Sequence, residues 1–255
     1  MYYEETLGST MDASRLFARG GEVHGTVIAA GFQEKGRGRS SNRSWDMERG
    51  QSLPFTVLLR YSPAALPSAL TLRSGLALAL AIEDFAPALN GKVHIKWPND
   101  LLLPAKGSKA MRKVAGILAE AEGGTVHIGM GVNIGQQMFP PPLDDKATSI
   151  SLALGKAIES GERFTLLALV LKRLHDELDA PFGSITAHWK ERLEKRLYKK
   201  GELVSFARGA ADSKDIVSGW LSGVGDGGEL LLMSEGGGGL CPYYSGELVG
   251  LYGAS

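Results

Sequence analysis

The sequence has a single cysteine, Cys241, among its 255 residues. One thiol can form neither an internal disulfide nor a cysteine-cluster metal site, which fits a reducing compartment. Net charge is also missing, because 28 basic side chains balance 28 acidic ones. Without a positive field, general binding to nucleic acid or to a membrane surface loses its main driving force, so we expect neither as a partner. Any cationic chemistry must be local.

The sequence also lacks an uninterrupted apolar run. The most apolar stretch, residues 66–85, contains Pro67, Arg73, Glu83 and Asp84. It therefore falls short of the roughly 20 apolar residues that a membrane-spanning helix needs. The N-terminus has acidic residues and no apolar run behind a basic head, so no secretory signal is expected. These absences predict a cytoplasmic protein.

What is present is the composition of a chain that buries a core, with 44% apolar and 22% charged residues. The pattern predicts an α+β fold with a main domain at 1–198 and a small β-barrel domain at 199–255. Predicted strands of the main domain span residues 2–7, 25–32, 51–60, 92–97, 113–121 and 125–134. Predicted helices span residues 9–19, 66–85 and two or three segments within 148–197.

Three local sequence signals refine this prediction of helices and strands. Ser9 and Asp12 have the spacing of a capping box, so we expect them to cap the first helix. A tight link at residues 122–124 joins the last two strands of the main domain, which predicts an antiparallel hairpin. After residue 199, short strands broken by glycines predict the small barrel.

A long polar loop at residues 33–50 alternates glycine with arginine around Arg37, Gly38 and Arg39. Glycine lets the backbone approach a ligand closely, and guanidinium groups bind phosphate or carboxylate through two hydrogen bonds. The combination favours an anion site. A solvated surface loop or a nucleic-acid-binding segment has the same composition.

The motif KWPND at residues 96–100 is a second candidate. Pro98 cannot donate to a sheet ladder, so a strand is expected to end there and to present Asn99 and Asp100. Strand ends are common places for binding sites. The alternative is a turn in which the two side chains bond to their own backbone.

Two further segments carry polar groups beside glycine. In residues 112–120, Lys113 opens an apolar strand that Gly116 interrupts, which indicates either a ligand close to the backbone or a bulge. Lys113 could equally be a charged residue that protects a sheet edge. In residues 127–135, the alternating Gly129 and Gly131 leave one strand face bare, and Asn133 follows on the same face. An adenine could lie there, although a close-packed helix would use the same glycines.

In this order and spacing, the motifs closely resemble the biotin protein ligase family, enzymes that attach biotin to a lysine of carboxylase carrier domains. The resemblance covers nearly the whole chain, from Ser9-Thr10 through Gln33, GRGR, KWPND, KVAGIL and GMGVN to the C-terminal GELV. Lipoate ligases share the fold but not the pair KWPND and KVAGIL. The resemblance implies a class-II-synthetase-like mixed sheet with flanking helices, and a Src-homology-3-like barrel at 199–255.

The resemblance also implies roles for single residues. Catalysis would fall to Lys113, Arg37 and Arg39, and Asp100 would help to place Mg²⁺. The biotin-binding residues would be Ser9, Thr10, Met11, Gln33, Arg37, Gly38, Arg39, Lys113, Gly116 and Leu118. The residues that bind ATP or the adenylate would be Arg37, Arg39, Trp45, Asn99, Asp100, Lys113, Gly131 and Asn133.

The implied activity is that of an ATP-dependent biotin protein ligase, which forms biotinyl-5'-AMP and transfers biotin to a biotin carboxyl carrier protein. ATP and Mg²⁺ would be required, and the family allows a homodimer. A lipoate or octanoate ligase of the same fold is the enzymatic alternative. A non-catalytic biotin-binding module, or a nucleic-acid-binding protein using the GRGR loop, is the alternative of another class.

The chain departs from the family pattern at a few places. Met11 stands where the family usually has asparagine, and residues 39–45 hold one residue more than the common pattern. The segment between Asp100 and Arg112 is long and is expected to extend a hairpin. The chain starts at the first catalytic strand, so we expect no N-terminal helix-turn-helix.

Overall fold

A computed structural model describes residues 1–39, 45, 48–105, 107, 110–122, 124–179, 188–209, 213–235 and 238–249. Within these ranges the chain forms two β-sheets, one of seven strands and one of five, and five α-helices. None of these helices combines the length and the apolar composition needed to cross a bilayer.

The larger sheet is mixed, as predicted. Its strands are β1 (Tyr2–Glu4), β2 (Thr26–Ala30), β3 (Ser52–Arg60), β4 (His94–Lys96), β5 (Asp100–Pro104), β6 (Met111–Glu122) and β7 (Thr125–Asn133). They lie in the order β1-β2-β3-β7-β6-β5-β4. Only the pair β1 and β2 is parallel, and the other described pairs are antiparallel. The predicted hairpin of β6 and β7 is confirmed.

Helices flank both faces of this sheet. They are α1 (Thr10–Arg19), α2 (Leu70–Phe85), α3 (Ile150–Leu154), α4 (Glu162–Leu178) and α5 (Trp189–Glu194). On one face, α2 and α4 bury apolar side chains against β3, β6 and β7 in the main core. On the other face, α1 contacts β3 and β7. The apolar pattern of α2 on most of its faces follows from its position between the sheet and α4.

The smaller sheet is antiparallel and follows the last helix. Its strands are β8 (Leu203–Arg208), β9 (Ile216–Val224), β10 (Leu230–Ser234), β11 (Leu240–Tyr243) and β12 (Gly246–Leu248), in the order β11-β10-β9-β8-β12. A second core joins this sheet to α2 and β4, with Leu72 and Ile95 beside Phe206. Trp97 donates from Nε1 to the carbonyl of Gly228 at 2.9 Å. The small sheet is therefore packed against the end of β4.

The structure corrects two predictions about helix starts. The helix predicted from residue 66 begins at Leu70, because Pro67 holds Leu66 in extended conformation (φ −64°, ψ 119°). The capping box is wrong: Ser9 is the N-cap of α1, but its side chain makes no capping hydrogen bond. The Asp12 carboxylate pairs instead with Arg15, at 2.8 Å.

The strand boundaries around KWPND also differ from the prediction. The strand β4 is shorter than expected and ends at Lys96, and Asp100 is the first residue of β5 rather than the end of β4. β4 and β5 form an antiparallel hairpin, and β5 then pairs with β6. The expectation that the segment after Asp100 extends a hairpin is thus confirmed.

Candidate active site

A pocket opens on the face of the larger sheet that carries α1, and glycines form its floor. Alternation along the strands puts Gly116 and Leu118 of β6, and Gly129 and Gly131 of β7, on this face. In the antiparallel register Gly116 lies opposite Gly131, and Asp100 lies opposite Gly116. The space between the walls is about 840 Å³, part of it open to solvent.

A β-bulge turns Lys113 toward this pocket. Between β5 and β6 the register shifts after Leu101, so that Val114 is the extra residue of β6. Val114 and Ala115 are both fully buried in the main core. If Val114 alternated regularly with Ala115 instead of forming a bulge, Lys113 would lie on the core face, because a one-residue shift reverses the side of every residue beyond it.

Lys113 is held on the pocket wall by several contacts. Its Nζ lies 2.6 Å from Asp100 Oδ1 and 5.3 Å from the centre of the Trp45 ring. Its backbone bonds to the segment that precedes α3, donating to the carbonyl of Lys146 and accepting from the amide of Thr148, each at 2.8 Å. Gly116 leaves the room that this side chain uses, since a β-carbon there would be 3.2 Å from Nζ.

The start of α1 supplies the polar end of the pocket. Thr10 donates to Gln33 Oε1 from its backbone amide at 2.7 Å and from Oγ1 at 2.9 Å. Thr56, fully buried on β3, donates in turn to Thr10 Oγ1 at 2.9 Å. Ser9 Oγ is buried on the pocket wall and has no hydrogen-bond partner among the described residues. A buried hydroxyl without a partner is costly, so a ligand with polar groups fits here.

Trp45 and Met11 cover the bare faces of β7. The indole of Trp45 lies on Gly131, where a β-carbon would be 2.5 Å from Cε2. Met11 lies on Gly129 in the same way, with Sδ 2.7 Å from the position of a β-carbon. These glycines therefore allow close packing of side chains, which was the alternative to a ligand-binding slot. The packed side chains are Trp45 and Met11, at the start of α1, rather than the face of a helix.

The two loop arginines are paired with carboxylates outside the loop. Arg37 lies 2.9 Å from Asp12 and 3.7 Å from Glu120, on α1 and β6. Arg39 lies 3.6 Å from Glu247 on β12. The pocket wall as a whole has four basic side chains, Arg37, Arg39, Lys96 and Lys113, against the carboxylates of Asp100 and Glu247. The excess of positive charge suits an anionic ligand.

Comparison with known proteins agrees with this geometry. The family model described as the biotin/lipoate A/B protein ligase family matches residues 6–135, about half of the chain. The chain belongs to the biotin/lipoate A/B protein ligase family. The match spans α1, the arginine loop, the pocket glycines and Lys113, that is, most of the residues that form the candidate site of this family member.

Curated relatives of the chain come from several bacteria. The chain is 33% identical over 199 residues to the bifunctional ligase/repressor BirA of Bacillus subtilis, which covers 74% of this chain and 58% of that protein. It is 32% identical over 222 residues to the biotin--[acetyl-CoA-carboxylase] ligase of Paracoccus denitrificans, covering 82% of this chain and 85% of that one. The chain thus spans little more than half the length of the Bacillus relative.

Among solved structures, the chain resembles the biotin protein ligase from Aquifex aeolicus in complex with biotin and ATP. The TM-score is 0.74 at 27% identity, and the alignment covers 96% of both chains. A mutant of that ligase in complex with biotin gives a TM-score of 0.77 at 26% identity, covering 97% of this chain and 96% of that one. The likeness extends over both sheets of this family member.

Nearly all the residues expected from the family resemblance meet at the pocket. Its wall includes Ser9, Thr10, Met11, Gln33, Arg37, Gly38, Arg39, Trp45, Asn99, Asp100, Lys113, Gly116, Leu118 and Gly131. Asn133 is outside this set. Its buried amide donates to the carbonyl of Thr148 at 3.1 Å and accepts from Gln136 at 3.2 Å. Its role in reading adenine stays a prediction.

Two charged residues of the pocket wall and one threonine beneath it were missed by the sequence analysis. Lys96 and Glu247 line the pocket, and Thr56 supports Thr10 from beneath. Lys96 and Glu247 belong to the quoted motifs KWPND and GELV, but a charged residue in a strand usually indicates a solvated face. Thr56 lies in an apolar strand. Because threonine is common in strands, its presence there gave no indication of a role in the site.

Proposed function

We propose that the protein is an ATP-dependent biotin protein ligase, which activates biotin to biotinyl-5'-AMP and transfers the biotinyl group to a lysine of a biotin carboxyl carrier protein. The observation that carries this proposal is the convergence of Lys113, Arg37 and Arg39 on a glycine-floored pocket whose other end is polar. The names of the relatives in Paracoccus denitrificans and Aquifex aeolicus support biotin as the acid that is activated.

The polar end suits the ureido ring of biotin, which offers one acceptor and two donors. Ser9 Oγ is a buried hydroxyl without a partner in the described chain, so it would bond to the ring. Gln33, oriented by the two bonds from Thr10, would bond beside it. The apolar part of the bicycle would lie against Leu118 and the Met11 side chain on the pocket wall.

The first step joins two anions. A biotin carboxylate oxygen attacks the α-phosphorus of ATP, a new P–O bond forms, and the bond to pyrophosphate breaks. The carboxylate is ionised at neutral pH, so no base is needed, and repulsion is the obstacle. Lys113 would neutralise charge between the two reacting groups, and Arg37 and Arg39 would do so from the loop. Trp45, over Gly131, would border the adenine.

Mg²⁺ would enter with the nucleotide. In the described ranges no group of three His, Cys, Asp or Glu side chains could hold a metal by itself. Mg²⁺ commonly needs only one or two protein carboxylates in addition to phosphate oxygens, and Asp100 on the pocket wall meets that requirement. Bound beside Asp100, Mg²⁺ would supply positive charge that neutralises the polyphosphate.

The second step transfers the biotinyl group. The neutral amine of the carrier's lysine attacks the acyl carbon, the C–N bond forms, the anhydride C–O bond breaks, AMP leaves, and the nitrogen releases a proton to solvent. Water would destroy the mixed anhydride, so the pocket must exclude it. Trp45, whose amide donates to the carbonyl of Gly36 at 3.1 Å, lies against Gly131 of the floor and would help to exclude water.

The finer organisation belongs to the same proposal. We infer a catalytic domain at 1–198 and a C-terminal domain at 199–255 whose sheet curls into a Src-homology-3-like barrel, supported by the five antiparallel strands β8 to β12. We also infer action in the cytoplasm on a carboxylase carrier domain, without nucleic acid or membrane as partners; a homodimer is one assembly that the family allows.

Mass spectrometry tests the proposal directly. The protein is incubated with biotin, ATP and Mg²⁺, and biotinyl-5'-AMP retained on the protein is measured. Lys113→Ala should form none, while Lys172→Ala, a matched change on the exposed face of α4, should behave like the wild type. A fully active Lys113→Ala would show that the role given to Lys113 is wrong.

The family description includes lipoate ligases, so the acid must be identified separately. ATP–pyrophosphate exchange is measured with biotin, lipoate and octanoate in turn, each also as a competitor of the others. Biotin should support exchange at low concentration, with little from the other two. Exchange that depends on lipoate or octanoate, but not on biotin, would replace the proposed substrate.

A further inference from the structure

Lys96, the last residue of β4, is a charged side chain in a buried place. Its side chain is only 2% exposed, although it reaches the pocket wall. Burial lowers the pKa of its ammonium group, while the carboxylates of Asp100 and Glu247 act in the opposite direction. A buried charge is stable only when it is paired. The contact from Nζ to Glu247 Oε1, at 3.4 Å, is one such pair.

Glu247 itself is held by a rigid strand. The preceding Gly246 has φ +141°, and a β-carbon there would collide with the Phe206 ring, so only glycine lets β12 approach β8 this closely. The following Leu248 is 2% exposed and lies in the core shared by the two sheets. With the backbone fixed on both sides, the carboxylate has a defined place on the pocket wall.

The second carboxylate oxygen reaches the arginine loop. Glu247 Oε2 lies 3.6 Å from Arg39 Nη2, and the Glu247 side chain is 15% exposed. One carboxylate from the smaller sheet thus connects a fixed cation of the larger sheet with a cation of the loop. Neither Lys96 nor Glu247 has a part in the chemistry proposed above.

We propose that Glu247 is a positioning residue for the nucleotide: it joins Lys96 to Arg39 and so holds the loop guanidinium on the pocket wall, where it would bind the nucleotide phosphates. This inference rests on the proposed function for the identity of the ligand. Arginine has many rotamers, and ordering it on binding weakens affinity. Fixing Arg39 before the nucleotide arrives removes part of that ordering.

The test measures nucleotide and biotin affinity separately. Binding of α,β-methylene ATP and of biotin is followed by calorimetry for the wild type, Glu247→Gln and Glu247→Asp. Glu247→Gln should weaken binding of the analogue about tenfold, the effect of losing one charge-assisted contact, and raise the KM for ATP in exchange similarly. Its biotin affinity should stay within about twofold, and Glu247→Asp should recover part of the loss.

A matched control is Glu202→Gln, which breaks an exposed pair with Lys199 beside the same sheet and should leave all constants unchanged. A double-mutant cycle with Arg39→Gln should show that the two losses do not add. Should Glu247→Gln fail to fold, Glu247→Asp and Arg39→Gln provide the measurement. Unchanged analogue affinity, fully additive losses, or an equal loss of biotin affinity would overturn the proposal. A wild type that binds the analogue but catalyses no exchange would refute the proposed function alone.

Discussion

The indole of Trp45 lies against the bare Cα of Gly131. A β-carbon at residue 131 would be 2.5 Å from Cε2 and 2.8 Å from Nε1 of the indole. The same ring approaches Gly116 on the neighbouring strand, 3.1 Å from a β-carbon there, and its centre lies 5.3 Å from Lys113 Nζ. One aromatic side chain therefore connects the arginine loop, the pocket floor and the lysine expected to act in catalysis.

This packing predicts that Gly131→Ala displaces Trp45. Contacts under 3.0 Å force a movement, and the new methyl group lies against the rigid ring rather than a flexible chain end. We expect formation of the adenylate to fall about hundredfold, as for loss of a preorganised catalytic contact. Trp45 fluorescence, isolated by replacing the other tryptophans with phenylalanine, should shift at the same time.

Gly75→Ala on α2 is the matched control. A β-carbon there would meet only ordinary contacts, 3.7 Å from Leu101 and 3.8 Å from Ile117. Alanine favours helix over glycine by about 1 kcal/mol, so this variant should be as active and as stable as the wild type, or more stable. Equal activity of both variants would show that the Trp45 contact has no part in catalysis.

A second prediction concerns the bulge that turns Lys113 to the pocket. Deleting Val114 would remove the extra residue of β6 and restore regular alternation, in which Lys113 comes directly before Ala115 and so stays on the pocket face. The deletion should retain adenylate formation but lower the unfolding midpoint in urea, because the core loses the fully buried Val114 side chain. Val114→Ala keeps the bulge, so it should lose stability but retain exchange activity. A deletion variant that folds but forms no adenylate would contradict this account of the bulge.

The sequence predicted the pocket floor well because the relevant residues are local. Gly116 and Gly131 lie on two strands joined by a short hairpin, and strand alternation alone indicates which residues of each strand share a face with them. Alternation alone does not predict the bulge that turns Lys113 to the pocket. At sequence level Gly116 suggested either a ligand or a bulge, and the structure has a bulge two residues earlier, at Val114.

Glu247 could not be predicted in the same way. It lies 151 positions from Lys96 and belongs to the other sheet, so no local spacing connects the two. The capping-box prediction at the start of α1 failed for a related reason. Ser9 and Asp12 have the spacing of a capping box, but the Ser9 side chain makes no capping bond and the Asp12 carboxylate pairs with Arg37. Asp12 pairs with Arg15 and Arg37, and Ser9 faces the pocket. Tertiary partners therefore decided the roles of the charged and hydroxyl residues.

A third prediction tests the support beneath the polar end. Thr56→Val keeps the shape of the buried side chain but removes its donated bond to Thr10 Oγ1. Biotin affinity should fall roughly three- to tenfold, the worth of one hydrogen bond, and affinity for an ATP analogue should not change. Thr26→Val, at another buried threonine away from the pocket, should leave both affinities at wild-type level. An equal loss for both ligands would indicate a general change in the sheet instead.

A fourth prediction follows from buried histidines. Burial lowers the pKa of both His94 and His127 below the ordinary value of 6.5. Above pH 6.5 both residues are neutral in the folded and unfolded chain, and their contribution to stability is complete. As the pH falls below 6.5, the unfolded chain binds protons that the folded chain resists, so the free energy of unfolding decreases. Urea unfolding at pH 7.5 and at pH 5.5 should therefore show lower stability at the acidic pH.

The contribution of His127 can be separated from that of other groups. His127 Nδ1 lies 2.7 Å from Ser14 Oγ inside the α1 face, with Arg15, Arg60 and Glu122 as the nearby charges. His127→Asn retains a polar partner for Ser14 but cannot titrate, so its stability should vary less between the two pH values than that of the wild type. His175→Asn, at an exposed histidine on α4, is the control and should keep the wild-type pH dependence. The same pH dependence in all three proteins would mean that His127 is not the source, and the loss would then have to come from His94 or from the acidic groups.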